Sequence, residues 1–260
     1  MDNEKMLEII KRNPAIIKTL DNPTEEMKIL AVQLEARLIQ YIKDPSEKLK
    51  EIAINNNPRV IEFIDNPTET MMLNAVESSW TNLKYIKYPT DKVKYKAIDE
   101  KGWAIQYINN PSEELQLKAI KKDYDSIKYI QNPTEESQIE AVSKKYDAIR
   151  YIENPCHEAK VIAIRENEAA INFIDNITRE EILGFISENI LVTKYIHEDI
   201  TQDELISSIE KTISKEDVKE SYVRDFLHCT NLDIDPVLFI YKYGSKRAKR
   251  ITVDERLKIN

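Results

Sequence analysis

Apolar residues along this chain come in short bursts separated by polar turns, and the whole pattern returns every 22 residues. The stretch QNPTEESQIEAVSKKYDAIRYIEN, from Gln131 to Asn154, is nearly a copy of NNPSEELQLKAIKKDYDSIKYIQN before it. Prolines mark the frame at positions 23, 45, 67, 89, 111, 133 and 155. Each unit then carries an Ala-Val or Ala-Ile pair: Ala31-Val32, Ala53-Ile54, Ala75-Val76, Ala97-Ile98, Ala119-Ile120, Ala141-Val142 and Ala163-Ile164. An Ile or Leu and an aromatic-Ile pair follow, as in Ile39/Tyr41-Ile42, Ile61/Phe63-Ile64 and Ile105/Tyr107-Ile108. A fixed period of this length with two apolar bursts predicts two short helices per unit.

The start of each unit reads as a helix N-terminus. In Asn22-Pro23-Thr24-Glu25-Glu26, proline suits the first turn, Asn22 or Thr24 can cap free N–H groups, and the glutamates favour the positive end of the helix dipole. An invariant alanine slot predicts close approach between helices. Helices this short do not stand alone in water, so each unit must bury its apolar face on its neighbours.

With Met1 in the first proline slot, residues 1–176 form eight regular units. Ile177 and Ile200 replace proline in two degenerate repeats over 177–213, and 214–260 reads as a C-terminal cap ending in a basic tail. The expected fold is all-α: a right-handed-type superhelical solenoid of short helical hairpins closed by a helical cap.

The segment PTEESQIEAVSKKYDAIRYI resembles the tandem 22-residue repeats of unknown function found in bacterial, phage and giant-virus proteins, whose units read roughly [NQ][PQ]TEE…AAV…A…YV. The resemblance covers Met1 to about Glu198 and implies an α-helical solenoid with no known chemistry. The chain departs from that pattern where the family has a glycine between the helices, which only Gly102 keeps. It is also similar in style to other short-helix solenoids such as the leucine-rich variant repeats.

Composition narrows the functional classes. Of 260 residues only 3 are glycine, which argues against all-β and Rossmann-type folds rich in tight turns. MDNEKMLEII lacks the basic and apolar regions of a signal peptide, and no apolar run approaches the roughly 20 residues of a membrane span. Two cysteines are too few for a disulfide framework, so a reducing cytoplasm is expected. The net charge of −8 is uneven: from Lys242 to Lys258 seven Lys/Arg face two acids, a net of +5, leaving −13 on the rest. Such asymmetry points to a charged partner.

Few constellations suggest chemistry. Cys156-His157 and His228-Cys229 lack metal-ligand spacing, and Cys156-His157 fills an ordinary Thr-Glu slot, so neither a metal nor another cofactor is expected. There is no phosphate-cradling glycine loop and nothing to set a base against Cys229, which argues against an enzyme and against a small-molecule substrate. Trp80, Trp103, Tyr124 and Tyr146 fall in the same or adjacent slots of consecutive repeats, with Lys121, Lys122, Lys144 and Lys145 just before the tyrosines. They read as a partner-binding ridge, against the simpler reading that the rings pack on the next unit. The row Tyr41, Tyr85, Tyr107, Tyr129, Tyr151, Tyr195 alternates with Phe63 and Phe173, which predicts a core aromatic with its hydroxyl at the surface. Lys242, Lys246, Arg247, Lys249 and Arg250 are candidate contacts to phosphates or an acidic partner.

These observations point to a non-enzymatic scaffold that engages another protein. The Ile/Lys/Asn/Glu-rich composition suggests a low-GC bacterium or its phage, and a mobile-element protein occupying a host defence complex is the finer expectation. The alternative is RNA or DNA binding through the basic tail, against which the acidic repeat body weighs.

Overall fold

The computed structural model describes residues 3–196 and 200–259, so Met1 and the first proline slot lie outside the described residues, as do the side chains of Lys258 and Ile259. Among the described residues every regular element is helical. None of these helices is long and apolar enough to cross a membrane. The chain divides into two compact units, Met1–Gln131 and Asn132–Asn260.

Every regular repeat has the same two parts. A ten-residue α-helix comes first, as in Glu25–Leu34, Glu47–Asn56 and Glu69–Ser78, and a six-residue 3₁₀ helix follows, as in Ala36–Tyr41, Pro58–Phe63 and Trp80–Tyr85. The cap is the hydroxyl residue: Thr24, Ser46, Thr68, Thr90 and Ser112 each accept a hydrogen bond from the backbone N–H three residues on. The proline expected in the first helical turn therefore sits outside the helix, immediately before the cap. Its fixed φ and missing N–H suit that extended approach as well as they suit a helix start. Asp44, Asn66 and Asn110, each just before such a proline, take φ of 46–50°, a left-handed conformation that Asp and Asn tolerate best among residues with a Cβ.

The second helix is wound as a 3₁₀ helix, and its apolar slots fall three apart. Three residues per turn put Ala36, Ile39 and Ile42 on one ridge, and all three are buried. Tyr41, the last residue of that helix, is 52% exposed, and no member of the tyrosine row or its phenylalanines belongs to the core. The expectation of a core aromatic is thus corrected: two isoleucines per 3₁₀ helix fill the interior, and the ring lies along the flank.

In the first unit the α-helices pack on successive α-helices and the 3₁₀ helices on successive 3₁₀ helices, so the pairs stack as an α-solenoid. The alanine slot explains the close fit: Ala31, Ala53, Ala75, Ala97 and Ala119 are all fully buried. Bonds between repeats fix the register. The Ser46 hydroxyl donates to Glu25 Oε1 (2.5 Å) and the Thr90 hydroxyl to Glu69 Oε1 (2.6 Å). Asn56 Nδ2 donates to the Val32 and Gln33 carbonyls, which end the preceding helix.

The second unit opens with the same architecture. Glu135–Lys144, His157–Glu166 and Arg179–Glu188 are its first three α-helices, and Phe185 replaces the alanine in the last of them, still fully buried. Gln202–Ile213 packs on Arg179–Glu188, and Glu220–Leu227, Pro236–Tyr243 and Lys246–Ile259 follow. Ile182, Ile186, Ile209 and Ile213 share one buried cluster with Tyr222, Val223, Phe226, Ile240, Ala248 and Ile251, so these last helices cover the end of this unit's stack. The basic segment is a helix held by the Ala248, Ile251 and Thr252 face.

Candidate interaction surfaces

The tryptophans of the first unit are half-buried, and each lies on the aromatic residue of the following repeat. Trp80 stacks on Tyr107, with ring centroids 6.0 Å apart and 27° between planes, and Trp103 meets Tyr129 edge-on at 6.1 Å. Trp103 is also held electrostatically. Its Nε1 donates to Asp125 Oδ1 (2.7 Å), and the Lys101 and Lys128 ammonium groups lie 4.6 and 4.3 Å from its ring centroid. Burial alone would raise the Asp125 carboxyl, but the bonds from Trp103 and Lys128, with the Lys128 and Lys101 charges, hold it below its ordinary value. Asp123 completes the junction, accepting from Lys101 Nζ (2.6 Å) and from the Gly102 N–H (2.8 Å).

Trp80 and Trp103 therefore spend one face on a neighbouring repeat. Tyr124 is half-buried, and Lys121 and Lys122, in the last turn of Glu113–Lys122, are exposed. In the second unit, Tyr146 is half-buried and Lys144 and Lys145 are exposed, paired with Glu140 (3.8 Å) and Asp147 (3.4 Å). What sequence reasoning missed is the flank of the 3₁₀ helices, where cations lie over rings: Lys18 over Tyr41, Arg37 over Phe63, Lys84 over Tyr85.

The second unit carries a more open surface. Asp235 caps Pro236–Tyr243 by accepting from the Val237 and Leu238 N–H groups, and the chain turns at Gly244. A Cβ there would stand 2.6 Å from the Ile240 carbonyl oxygen and 3.3 Å from the Ala248 Cβ, so glycine permits this tight corner. The Ser245 hydroxyl caps the last helix by accepting from the Ala248 N–H. Between these two helices runs a groove of about 500 Å³, lined by Val237, Tyr241, Val253 and Leu257 and bordered by Lys249 and Arg256. Tyr241 is 77% exposed and Leu257 69%, with Leu238 and Val253 also open.

The predicted tail cations divide by role. Lys242, Lys246, Lys249 and Arg250 are exposed, while Arg247, also exposed, donates through Nε to the Val218 carbonyl (2.9 Å). Glu255 is occupied by Arg224 and faces His228 Nε2. Cys229 is buried and donates to Asn231 Oδ1 (2.8 Å), and Cys156 occupies a helix-cap position without a capping bond. Among the described residues no cluster of three His, Cys, Asp or Glu is arranged to hold a metal ion.

Comparison with protein-family models, with curated proteins and with solved structures finds no match to this chain.

Proposed function

We propose that this protein is a non-enzymatic α-solenoid scaffold that engages a protein partner, and that the C-terminal groove is its principal docking surface. The observation that carries the reading is three large apolar side chains, Tyr241, Val253 and Leu257, left open along the groove between two adjacent helices. A contiguous apolar patch costs solubility and marks interaction sites on proteins. Tyr and Arg, both present here, dominate interface hot spots. The cations Lys249 and Arg256 at the rim specify an acidic amphipathic helix as the matching occupant, its apolar face in the groove and its carboxylates at the edges. Nucleic acid would use the cations and leave the apolar residues without a role, so the same observation favours a protein. The finer reading of a mobile-element protein occupying a host complex rests on composition and repeat type.

The test compares wild type with a Tyr241→Glu/Leu257→Glu variant in affinity purification from the native host after nuclease treatment. A protein retained by wild type and lost by the variant, with helical CD unchanged, supports the reading. Retention by both, or release of everything by nuclease, overturns it.

A further inference from the structure

The 3₁₀ helices of the first unit meet in a constant register, in which the second residue of one faces the fifth residue of the next. At Arg37 and Glu62 this register makes an ion pair (3.8 Å), and at Trp103 and Lys128 a cation over a ring (4.3 Å). At Arg59 and Lys84 the same register opposes two cations. Neither forms an ion pair with an acid among the described residues, whereas Lys101 and Lys128 a repeat or two later are both paired, at 2.6 and 2.9 Å.

Arg59 and Lys84 border a polar pocket of about 270 Å³ that also includes Ser79, Thr81, Asn82 and Tyr85, with no carboxylate in its lining. The Ser79 and Thr81 hydroxyls lie 2.7 Å apart at its wall, and the Asn82 amide is committed to the Ala75 carbonyl (2.9 Å). Lys84 Nζ is 4.6 Å from the Tyr85 ring centroid. The Lys84 ammonium first, and the Arg59 guanidinium with it, hold the Tyr85 phenol below its ordinary value, in keeping with two cations bordering the same pocket. Two cations brought together without an acid repel each other, and an anion between them turns repulsion into attraction.

We propose that this pocket is an oxyanion site for a phosphate group, free or carried on a phosphorylated side chain, held by Arg59 and Lys84 with the Ser79, Thr81 and Tyr85 hydroxyls as neutral donors. Guanidinium, ammonium and hydroxyl donors together match a doubly charged tetrahedral group better than a planar carboxylate. The site stands independently of the C-terminal groove.

The probes are inorganic phosphate and a short phosphoserine peptide, titrated into the full chain at constant ionic strength with chloride as control, and followed by calorimetry and by amide shifts of Asn57, Arg59, Val60 and residues 79–85. Saturable binding of one equivalent of either probe is expected. Phosphate alone binding identifies the free ion as ligand, and a preference for the peptide identifies the phosphorylated side chain. Lys84→Glu should rebuild the Arg37–Glu62 type of pair, weaken phosphate binding at least tenfold, and raise the melting temperature measured without phosphate. No binding of either probe beyond chloride, or equal binding by wild type and Lys84→Glu, overturns the proposal.

Discussion

Gly102 shows how little room one stacked repeat leaves another. A Cβ at this position would lie 2.4 Å from the Ala119 carbonyl oxygen and 2.7 Å from Ser126 Oγ. The carbonyl is backbone of the next α-helix and accepts from the Ser126 hydroxyl, so it has little freedom to yield. Gly102→Ala would ordinarily stabilise a helix by reducing unfolded-chain freedom, but overpacking of this kind costs about 1–3 kcal/mol. We expect overpacking to win and the urea midpoint to fall by an amount corresponding to roughly 1–2 kcal/mol. The same shift should weaken the Gly102 N–H bond to Asp123, seen as faster amide exchange at residue 102. A raised midpoint would mean that the junction moves more easily than its packing indicates. Sequence comparison between repeats could single out Gly102 as unusual, but the contact that makes it necessary comes from the following repeat and needs coordinates.

At the scale of one helix, the repeats offer an internal control on capping. Thr24, Ser46, Thr68, Thr90, Ser112 and Thr134 all accept the capping bond, whereas Cys156 in the same slot makes none. Cys156→Thr should satisfy an orphan N–H at the start of His157–Glu166 and stabilise the second unit by about 0.5–1.5 kcal/mol, read as a higher denaturant midpoint. No change would show that the Cys156 thiol or water already serves that N–H. The capping site itself was ambiguous in the sequence, because Asn22 and Thr24 both carry acceptors and both precede acidic residues. The kind of second helix was hidden for a similar reason. Isoleucines three apart, such as Ile39 and Ile42, suit one face of an α-helix and of a 3₁₀ helix alike. Tyr41 lies on the flank of this helix, off the ridge that Ile39 and Ile42 share.

Across the whole chain the all-α repeat fold was legible because 22-residue spacing compares each slot with its copies, and the buried Ala and Ile slots recur without insertion. The C-terminal groove was not, since Val237, Tyr241, Val253 and Leu257 fall outside the frame and an apolar residue without copies does not reveal whether it is covered. Charge is the property that acts on every repeat together, and acid is its test. Hydrogen bonds from Arg179 and Thr201 bring the Glu204 carboxyl from 4.5 down to about 2. Glu181 lies below its ordinary value through Lys160 and the Thr178 N–H, and Glu188 does so despite burial, through Arg165 and Lys219. In each case the folded state holds its proton more weakly than the unfolded chain. The stabilisation is therefore complete above the unfolded pKa near 4.5 and is lost as pH falls towards the folded value. We expect the urea midpoint, followed by far-UV CD, to be nearly flat from pH 7 to 5 and to drop between about 4.5 and 2. General repulsion among 38 Lys and Arg adds to that drop, so a variant is needed to separate the two effects. Glu204→Gln removes one depressed carboxyl and should shallow the acid limb while lowering the midpoint at pH 7. Because Glu204 and Arg179 meet at the surface, 1 M NaCl should narrow the difference between variant and wild type. Identical acid limbs at low salt would show that the exposed pair contributes nothing, leaving general charge repulsion and other depressed carboxyls such as Glu181, Glu188 and Asp125 to account for the acid sensitivity.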